Sequence, residues 1–515
     1  MKHPLIYKCT LATTALTAVT AYAGSPEKPN ILFAFGDDYG RYAGIYHEKE
    51  GGNTLGSAVK TPVFDKLARE GALFLNAFVT APSSTPCRSS LLSGQYFWRT
   101  GRGAILQGAV WDTSIPSYPL ILRDNGYHIG KTYKVWSPGT EIDAPYGGQA
   151  YGYEKHGKKF GQFSIVVSQS ANPDKESAKQ ELYDEVTGNF RDFLKDRDPD
   201  KPFCYWWGPT NTHRAWEKGS GKALWGINPD DLKGKLPAGW PDIPEIREDV
   251  ADYLGEVQAF DHALGELIEV LRETGELDNT VIVVSGDHGI PGFPKGKCNL
   301  YDLGLRVPLL VRYPALVKSG RVVDDFVNLM DLAPTFLELA GLTPPDVMTG
   351  KSLVHVLKSP ASGQVDPERT FVISGRERHV ASAREGELPY PHRSIATKKY
   401  KYIRNFRPDR WPMGTYETGF KDLDGGPTKT WYMDNYYNET CKFYMDQAFA
   451  KRPYEELYDL EKDPYEVNNL AKDPTYQAVL KQLSDQLETV LIRTGDPRIL
   501  GKGDTFDKYP FTIPN

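Results

Sequence analysis

From about Asn30 to about Leu342, short apolar runs alternate with segments of helical period, and this alternation narrows the folds open to the chain. NILFAF (30–35), KPFCYWWG (201–208), NTVIVVSG (279–286) and VPLLVRYP (307–314) are short and apolar throughout, as strands buried on both faces are. Between them, residues 247–275 place Val250, Leu254, Val257, Leu264, Ile268 and Leu271 on one stripe and predict a helix. Strand, helix, strand in repetition predicts an α/β architecture, a parallel sheet covered by helices. After about Pro360 the texture changes. RTFVISG, HRSIAT and KKYKYIRNF read as short antiparallel strands, a loop-rich, Tyr-rich stretch follows (411–453), and a last helix is expected near Thr475–Arg493. A chain of 515 residues is too long for one small core. The expected division is an N-terminal part, 24–359, and a smaller C-terminal α+β part, 360–515, with an antiparallel sheet plus a helix.

The first residues have the form of an export signal. Lys2 and Lys8 precede the small, apolar LATTALTAVTAYA, and Ala21-Tyr22-Ala23 offers a small-x-small cleavage site, so residues 1–23 are expected to be removed. This predicts a periplasmic or secreted protein. The apolar run is shorter than the ~20 residues a membrane span needs, and no other stretch qualifies. The net charge is −6 with no basic tail or Lys/Arg block, which argues against a nucleic-acid partner. Beyond the signal, Cys87, Cys204, Cys298 and Cys441 lie far apart and predict neither a disulfide framework nor a zinc site. Aromatic residues make up 12% of the chain, a density that suits a carbohydrate site but more often fills cores.

The polar residues fall where a parallel sheet would use them. Asp37 and Asp38 follow the first apolar run, His213 follows the second, and Asp287 and His288 follow the third. Ligands of such sheets bind beyond the carboxyl ends of the strands. One Asp at a strand end usually caps a helix or forms a turn. Three Asp and two His on one edge look like a divalent cation site, because carboxylates that close repel unless a cation neutralises them, and oxygen-rich ligation favours Ca²⁺ or Mg²⁺. A further segment, SSTPCRSSLLSG (83–94), reads as the start of a short helix ending at Gly94. The positive end of its dipole and the fixed charge of Arg88 would hold an oxyanion beside a Ser, Thr or Cys.

Ser84 to Gly94 resembles the signature of the type I sulfatases, in which a Cys or Ser is followed by Pro two positions on, Arg four on and Gly ten on. Counting from Ser84 meets every position. Counting from Cys87 puts Ser89 at the Pro place and Leu91 at the Arg place. PNILFAFGDDYG, KPFCYWWGPTNTHR, NTVIVVSGDHG, GYHIGKTYK, KGKCNLYDLG and ELYDLEKDPYEVNNLA extend the resemblance from about residue 29 to 475. KCNLYDLG, SGRERH with YPHRSIAT, and the tail motif are most similar to the N-sulfoglucosamine sulfohydrolase branch.

The resemblance implies an alkaline-phosphatase-like fold, with a mixed, mostly parallel sheet flanked by helices, and hydrolysis of a sulfate ester or sulfamate on a carbohydrate, such as a glycosaminoglycan, mucin or algal polysaccharide fragment. It implies that Ser84 is oxidised to formylglycine (3-oxoalanine) by a radical maturase and that its hydrate attacks sulfur. Asp37, Asp38, Asp287 and His288, with residue 84, would hold Ca²⁺. Mg²⁺ or Mn²⁺ stays open because His288 stands where many members carry Asn. Arg88 would stabilise the hydrate, Lys134 and Lys297 would grip the sulfate, and His213 would protonate the leaving group. Trp136 stands where many members carry a His, which throws more of that role on His213. The loop 374–394, dense in Arg, His and Tyr, predicts substrate contacts at Arg378, His379 and Arg393. Two other readings share these residues: a phosphoester hydrolase of the same superfold using an unmodified Ser or Thr, and a non-catalytic glycan-binding relative whose Ser84 stays unmodified.

Overall fold

Eight strands form the larger sheet: β1 (Asn30–Gly36), β2 (Ala72–Phe78), β3 (His128–Tyr133), β4 (Phe203–Gly208), β5 (Thr280–Gly286), β6 (Arg306–Val307), β7 (Leu309–Arg312) and β8 (Arg321–Asn328). They come from a computed structural model that describes Met1 and residues 28–52, 54–139, 146 and 149–511. Apart from Met1, the expected export signal lies outside the described residues. Among those residues no helix is long and apolar enough to cross a membrane. The strand order is β3-β4-β1-β5-β7-β2-β6, with β8 also paired to β2. β3, β4, β1 and β5 run parallel.

β1 sits between β4 and β5 and is buried along its whole length. Ile31, Phe33 and Phe35 pack into one core layer, while Leu32 and Ala34 pack into the other. Two-sided burial explains the unbroken apolar run. The helix Pro244–Glu273 covers the layer beneath Leu32 and Ala34, with Val250, Leu254, Val257, Leu264, Ile268 and Leu271 buried. It starts three residues before the predicted 247 because Pro244 suits the first helical turn, where no amide partner is needed.

VPLLVRYP does form a strand, but β7 runs antiparallel to β5. The intervening residues carry Asp287, His288 and Lys297 and stay on the carboxyl edge of the sheet, so the chain re-enters from that edge and points backwards. The departure from a purely parallel sheet is therefore tied to building the site.

The second sheet has the antiparallel order β12-β11-β10-β9, from β9 (Phe371–Arg376), β10 (His392–Thr397), β11 (Tyr400–Asn405) and β12 (Glu455–Asp459). Val372, Ala396, Ile403 and Tyr458 face the core of the large sheet. Ile373, Ile395, Tyr402 and Leu457 face Leu483, Leu487 and Leu491 of the helix Gln477–Arg493, which a short helix, Asp504–Lys508, follows. The Tyr-rich stretch expected to be mostly loop contains two helices, Pro427–Asp434 and Lys442–Phe449. Three of its rings join the core: Phe420 stacks on Phe449 at 3.7 Å, and Tyr432 packs edge-on against Phe449 at 5.5 Å.

Candidate active site

The carboxyl ends of β1 and β5 and the start of the helix Ser84–Ser93 meet at one point. β1 delivers Asp37 and Asp38. Asp38 takes a left-handed backbone conformation, φ 60°. This breaks the alternation of an extended strand and brings two successive carboxylates to the same side. The amide of Asp38 donates to Asp287 Oδ1 at 2.8 Å, which ties the β1 and β5 turns together. Helix Ser84–Ser93 is buried at every residue and ends at Gly94, which is left-handed at φ 65°. A Cβ there would stand 2.8 Å from Met348 Sδ, so the last signature position has a steric cause.

Ser84 is 2% exposed. Its hydroxyl lies 3.3 Å from Asp37 Oδ1, 3.0 Å from Lys134 Nζ and 3.5 Å from His288 Nε2. Lys134 Nζ also reaches Asp37 Oδ1 at 2.7 Å. Arg88 is fully buried and bridges Asp37 (3.0 Å) and Asp287 (3.0 Å), with Nη1 donating to the Lys134 and Val135 carbonyls. Its contacts therefore orient carboxylates rather than the Ser84 hydroxyl. Lys297 Nζ spans Asp38 Oδ2 and Asp424 Oδ2, each at 3.0 Å.

Burial pushes the Asp37 carboxyl up, but Lys134 and Arg88 outweigh it and hold the group well below the usual carboxylate range. For Asp38 burial wins, only partly offset by Lys297, and the group is raised. Burial also works against the Lys297 ammonium, yet Asp38 and Asp424 hold it charged well above the ordinary range. Cys87, three residues from Ser84, lies in the apolar core layer at 2% exposure, and burial pushes its thiol well up. Such a thiol is a poor nucleophile.

The donor set suits a hard divalent cation. Asp38, Asp287 and His288 offer ligand atoms within 4.8 Å of one another, all buried, and Asp37 and Asp38 form a similar group with His213. His288 Nδ1 faces the Gly289 carbonyl at 3.2 Å; a carbonyl only accepts, so this nitrogen carries the proton. Nε2 then turns its lone pair toward Asp38 Oδ1, 3.2 Å away. That buried oxygen accepts no hydrogen bond. Two facing lone pairs repel unless a cation lies between them, and the spacing fits neighbouring ligands of one ion.

His213 is held from three sides. Thr212 Oγ1 donates to the Asp37 carbonyl at 2.6 Å, Asn211 Nδ2 to Glu256 Oε2 at 3.0 Å, and Arg214 pairs with both oxygens of Asp249 at 2.8 and 2.7 Å. His213 Nδ1 donates to the Arg214 carbonyl at 2.5 Å, leaving Nε2 directed at the site, 3.8 Å from Asp38 Oδ2. Its side chain is 37% exposed and lines a cavity of about 670 Å³ that reaches Asp37 and Lys134.

The family described as Sulfatase matches residues 29–342, three-fifths of the chain. The chain belongs to the sulfatase family. A second family, described as N-sulphoglucosamine sulphohydrolase, C-terminal, matches residues 286–442 of this sulfatase. It is 28% identical to the N-sulphoglucosamine sulphohydrolase of Homo sapiens, over 91% of each chain. It is 25% identical to an ulvan-active sulfatase of Formosa agariphila, over 94% of this chain and 78% of that one. The solved structure of a protein in complex with its substrate D-glucosamine-2-N,6-O-disulfate shares the fold at a TM-score of 0.60 and 20% identity, covering 91% of this chain and 98% of that one. The sulfatase is thus a sulfuric ester hydrolase of alkaline-phosphatase-like fold.

The expected substrate contacts Arg378, His379 and Arg393 all lie buried and are engaged by partners within the protein. Arg393 is fully buried and paired with Glu377 and Asp496, locking β10 to the end of the chain. Arg378, 1% exposed, donates to the carbonyls of Gln107, Tyr509 and Pro510. His379, 3% exposed, meets Ser83 Oγ at 2.8 Å through Nδ1. These side chains hold the helix Ser84–Ser93 and the second sheet in place, and a basic composition alone did not distinguish that role from a solvated loop. Trp136 is likewise core: it is 1% exposed, and its indole donates to Ser89 Oγ at 2.8 Å. Asp424 was missed because Asp-Leu-Asp-Gly-Gly (422–426) reads as an ordinary turn.

Burial, reinforced by Lys297 and Arg376 and opposed by Asp422 and Asp424, pushes His379 from 6.5 down to about 3. Between those values the unfolded chain binds a proton that the folded chain refuses, so stability is complete above 6.5 and falls with added acid. Urea unfolding is expected to show about 2–3 kcal/mol less stability at about pH 4.5 than at about pH 7.5 from this group. The His379→Gln variant is expected to lose that increment of the slope, and an unchanged slope would contradict the assignment.

Proposed function

We propose that this sulfatase is exported, carries formylglycine at position 84, and removes a sulfate ester or sulfamate group from an anionic sugar. The reading is carried by the Ser84 hydroxyl lying beside Asp37 and Lys134, next to the opposed lone pairs of Asp38 Oδ1 and His288 Nε2. Ca²⁺ is the expected ion, held by Asp37, Asp38, Asp287, His288 and residue 84, with Mg²⁺ or Mn²⁺ the other fits to this donor set. The signal predicted at 1–23 directs export, and a serine at 84 calls for a radical maturase as partner. The part 24–359 supplies the nucleophile and ligands, and 360–515 supplies Asp424.

Oxidised to formylglycine, residue 84 supplies an aldehyde hydrate as nucleophile and, unlike a serine ester, a route for expelling sulfate. A divalent cation, when bound, supplies Lewis acidity at the sulfate oxygens. Asp37 and Lys134 fix the direction of the attacking group, and Arg88 fixes Asp37. Lys134 and Lys297 present ammonium groups where negative charge grows on the sulfate. His213 Nε2 faces the cavity, where in the imidazolium form, with Nδ1–H still held by the Arg214 carbonyl, it can donate a proton to the leaving oxygen or nitrogen.

With His288 neutral and His213 carrying the proton it donates, four carboxylates (Asp37, Asp38, Asp287, Asp424) meet four cations (Arg88, Lys134, Lys297, His213). A divalent ion then gives the site a surplus of positive charge, which favours an anionic ester or sulfamate group. The names of the human and Formosa relatives point to sulfated glycans as the substrate class. With protein made alongside a radical maturase, sulfate release is expected to exceed phosphate release from matched sugar esters by about 10²-fold. Equal rates, or a preference for phosphate, would overturn the reading.

A further inference from the structure

The far wall of the catalytic cavity does no work in the reaction just described. It is formed by Lys158, Lys159, Gly161, Gln162 and Ile165, facing His213 and Thr210. We propose that Lys158 and Lys159 bind a second anionic group, a carboxylate or a further sulfate, on the sugar unit adjoining the one that carries the scissile sulfate. The proposal rests on the sulfatase reading above and makes the preferred substrate an acidic oligosaccharide rather than a single sugar.

The wall is anchored. Glu185, 6% exposed, accepts the amides of Lys159 (2.9 Å) and Phe160 (3.0 Å) and the hydroxyl of Tyr133 (2.8 Å). Phe160 is fully buried, and the amide of Ser164 donates to Glu256 Oε1 at 3.1 Å. At Gly161 the backbone presses on Thr210, where a Cβ would stand 2.5 Å from Oγ1. The two lysines therefore project from a fixed backbone that is tied to the His213 segment.

Their charge is also poorly compensated. No carboxylate lies in ion-pair range of the Lys159 ammonium among the described residues, although its stem also borders a hollow lined by Glu181, Asp184 and Glu185. The Lys158 side chain is 58% exposed, and its Nζ lies 3.4 Å from Glu154 Oε2. The other oxygen of Glu154 already takes Lys131 Nζ and the Tyr133 amide, each at 3.2 Å. The remaining charges of the cavity are satisfied, since Arg214 is paired with Asp249 and Asp37 with Lys134 and Arg88. A cavity of about 670 Å³ has room for more than one sugar ring. The scissile group is held beside Asp37 and Lys134, and on the wall facing His213 stand Lys159, unpaired among the described residues, and Lys158, which shares Glu154 with Lys131.

Three sulfated probes test this: a disaccharide with a uronate neighbour, the same disaccharide with that carboxyl reduced to an alcohol, and the reduced form with a second sulfate on the neighbour. The Lys158→Ala/Lys159→Ala double variant is expected to lose about tenfold or more in kcat/KM on whichever anionic neighbour is recognised. Its kcat, its melting temperature and its kcat/KM on the reduced disaccharide are expected to stay within about twofold of wild type. Equal losses on all three probes, or no loss on any, would overturn the proposal. Calorimetric binding of the same probes to unmodified Ser84 protein, made without maturase, needs no turnover. Lysine-independent binding there would sink the recognition role even in an active sulfatase. Lysine-dependent binding without sulfate release in the mature protein would instead indict the reaction.

Discussion

Ser84→Ala is expected to lower sulfate release by on the order of 10⁵-fold while leaving the melting temperature almost unchanged. Ser84 sits at the first helical position, with Ser83 as the N-cap, and its hydroxyl makes no backbone hydrogen bond that the helix needs. Removing that oxygen leaves Lys134 still paired with Asp37. Cys87→Ala reverses the pattern. It removes a buried side chain from the apolar layer at a cost of about 1 kcal/mol and leaves turnover intact. Ser84→Cys made with an aerobic, cysteine-specific maturase is expected to regain activity, because both precursors give the same aldehyde. Wild-type protein made without a maturase is expected to stop after one turnover at most, since a serine sulfate ester has no carbonyl to re-form. Mass measurement of the Ser84 peptide, which loses two hydrogen atoms on oxidation, reads the modified fraction directly. Full sulfate release by the alanine variant would remove the nucleophile from this account.

Much of this arrangement is legible in the sequence because the constraints are local. Asp37, Asp38, Asp287 and His288 directly follow apolar runs that only a central strand tolerates, so their place on the sheet edge follows from the strands. Gly94 is set by its left-handed turn against Met348. What the sequence conceals is long-range. The pairing of Lys297 with Asp424 joins residues 127 positions apart, and nothing near Asp424 marks it as more than a turn. Arg378 and Arg393 have the composition of a sugar-binding loop, but whether a basic side chain meets solvent or Asp496 depends on where the chain emerges from the helix Gln477–Arg493. Lys158 and Lys159 raise the converse problem. Their segment shows no motif, and their relation to the site appears only once Glu185 has fixed the backbone beside Thr210.

Stripping divalent cations is expected to lower turnover by about 10³-fold or more, with Ca²⁺ restoring it, because Lewis acidity and the surplus positive charge are lost together. The larger claim concerns stability. In the metal-free protein Asp38 is fully buried, raised by burial that Lys297 only partly offsets, and faces the lone pair of His288. A cation should therefore stabilise the fold, raising the wild-type melting temperature with its concentration as any ligand of the native state does. Asp38→Asn keeps the shape but removes a buried charge that Lys297 only partly compensates. The variant is expected to be at least as stable as wild type without metal, and to lose most of the metal-dependent rise along with the activity. Mere loss of structure would lower stability in both conditions, so the two measurements separate a ligand from a scaffold residue. If Asp38→Asn still gained as much from Ca²⁺ as wild type does, the ion would have to lie elsewhere, and the opposed lone pairs of Asp38 and His288 would need a different partner.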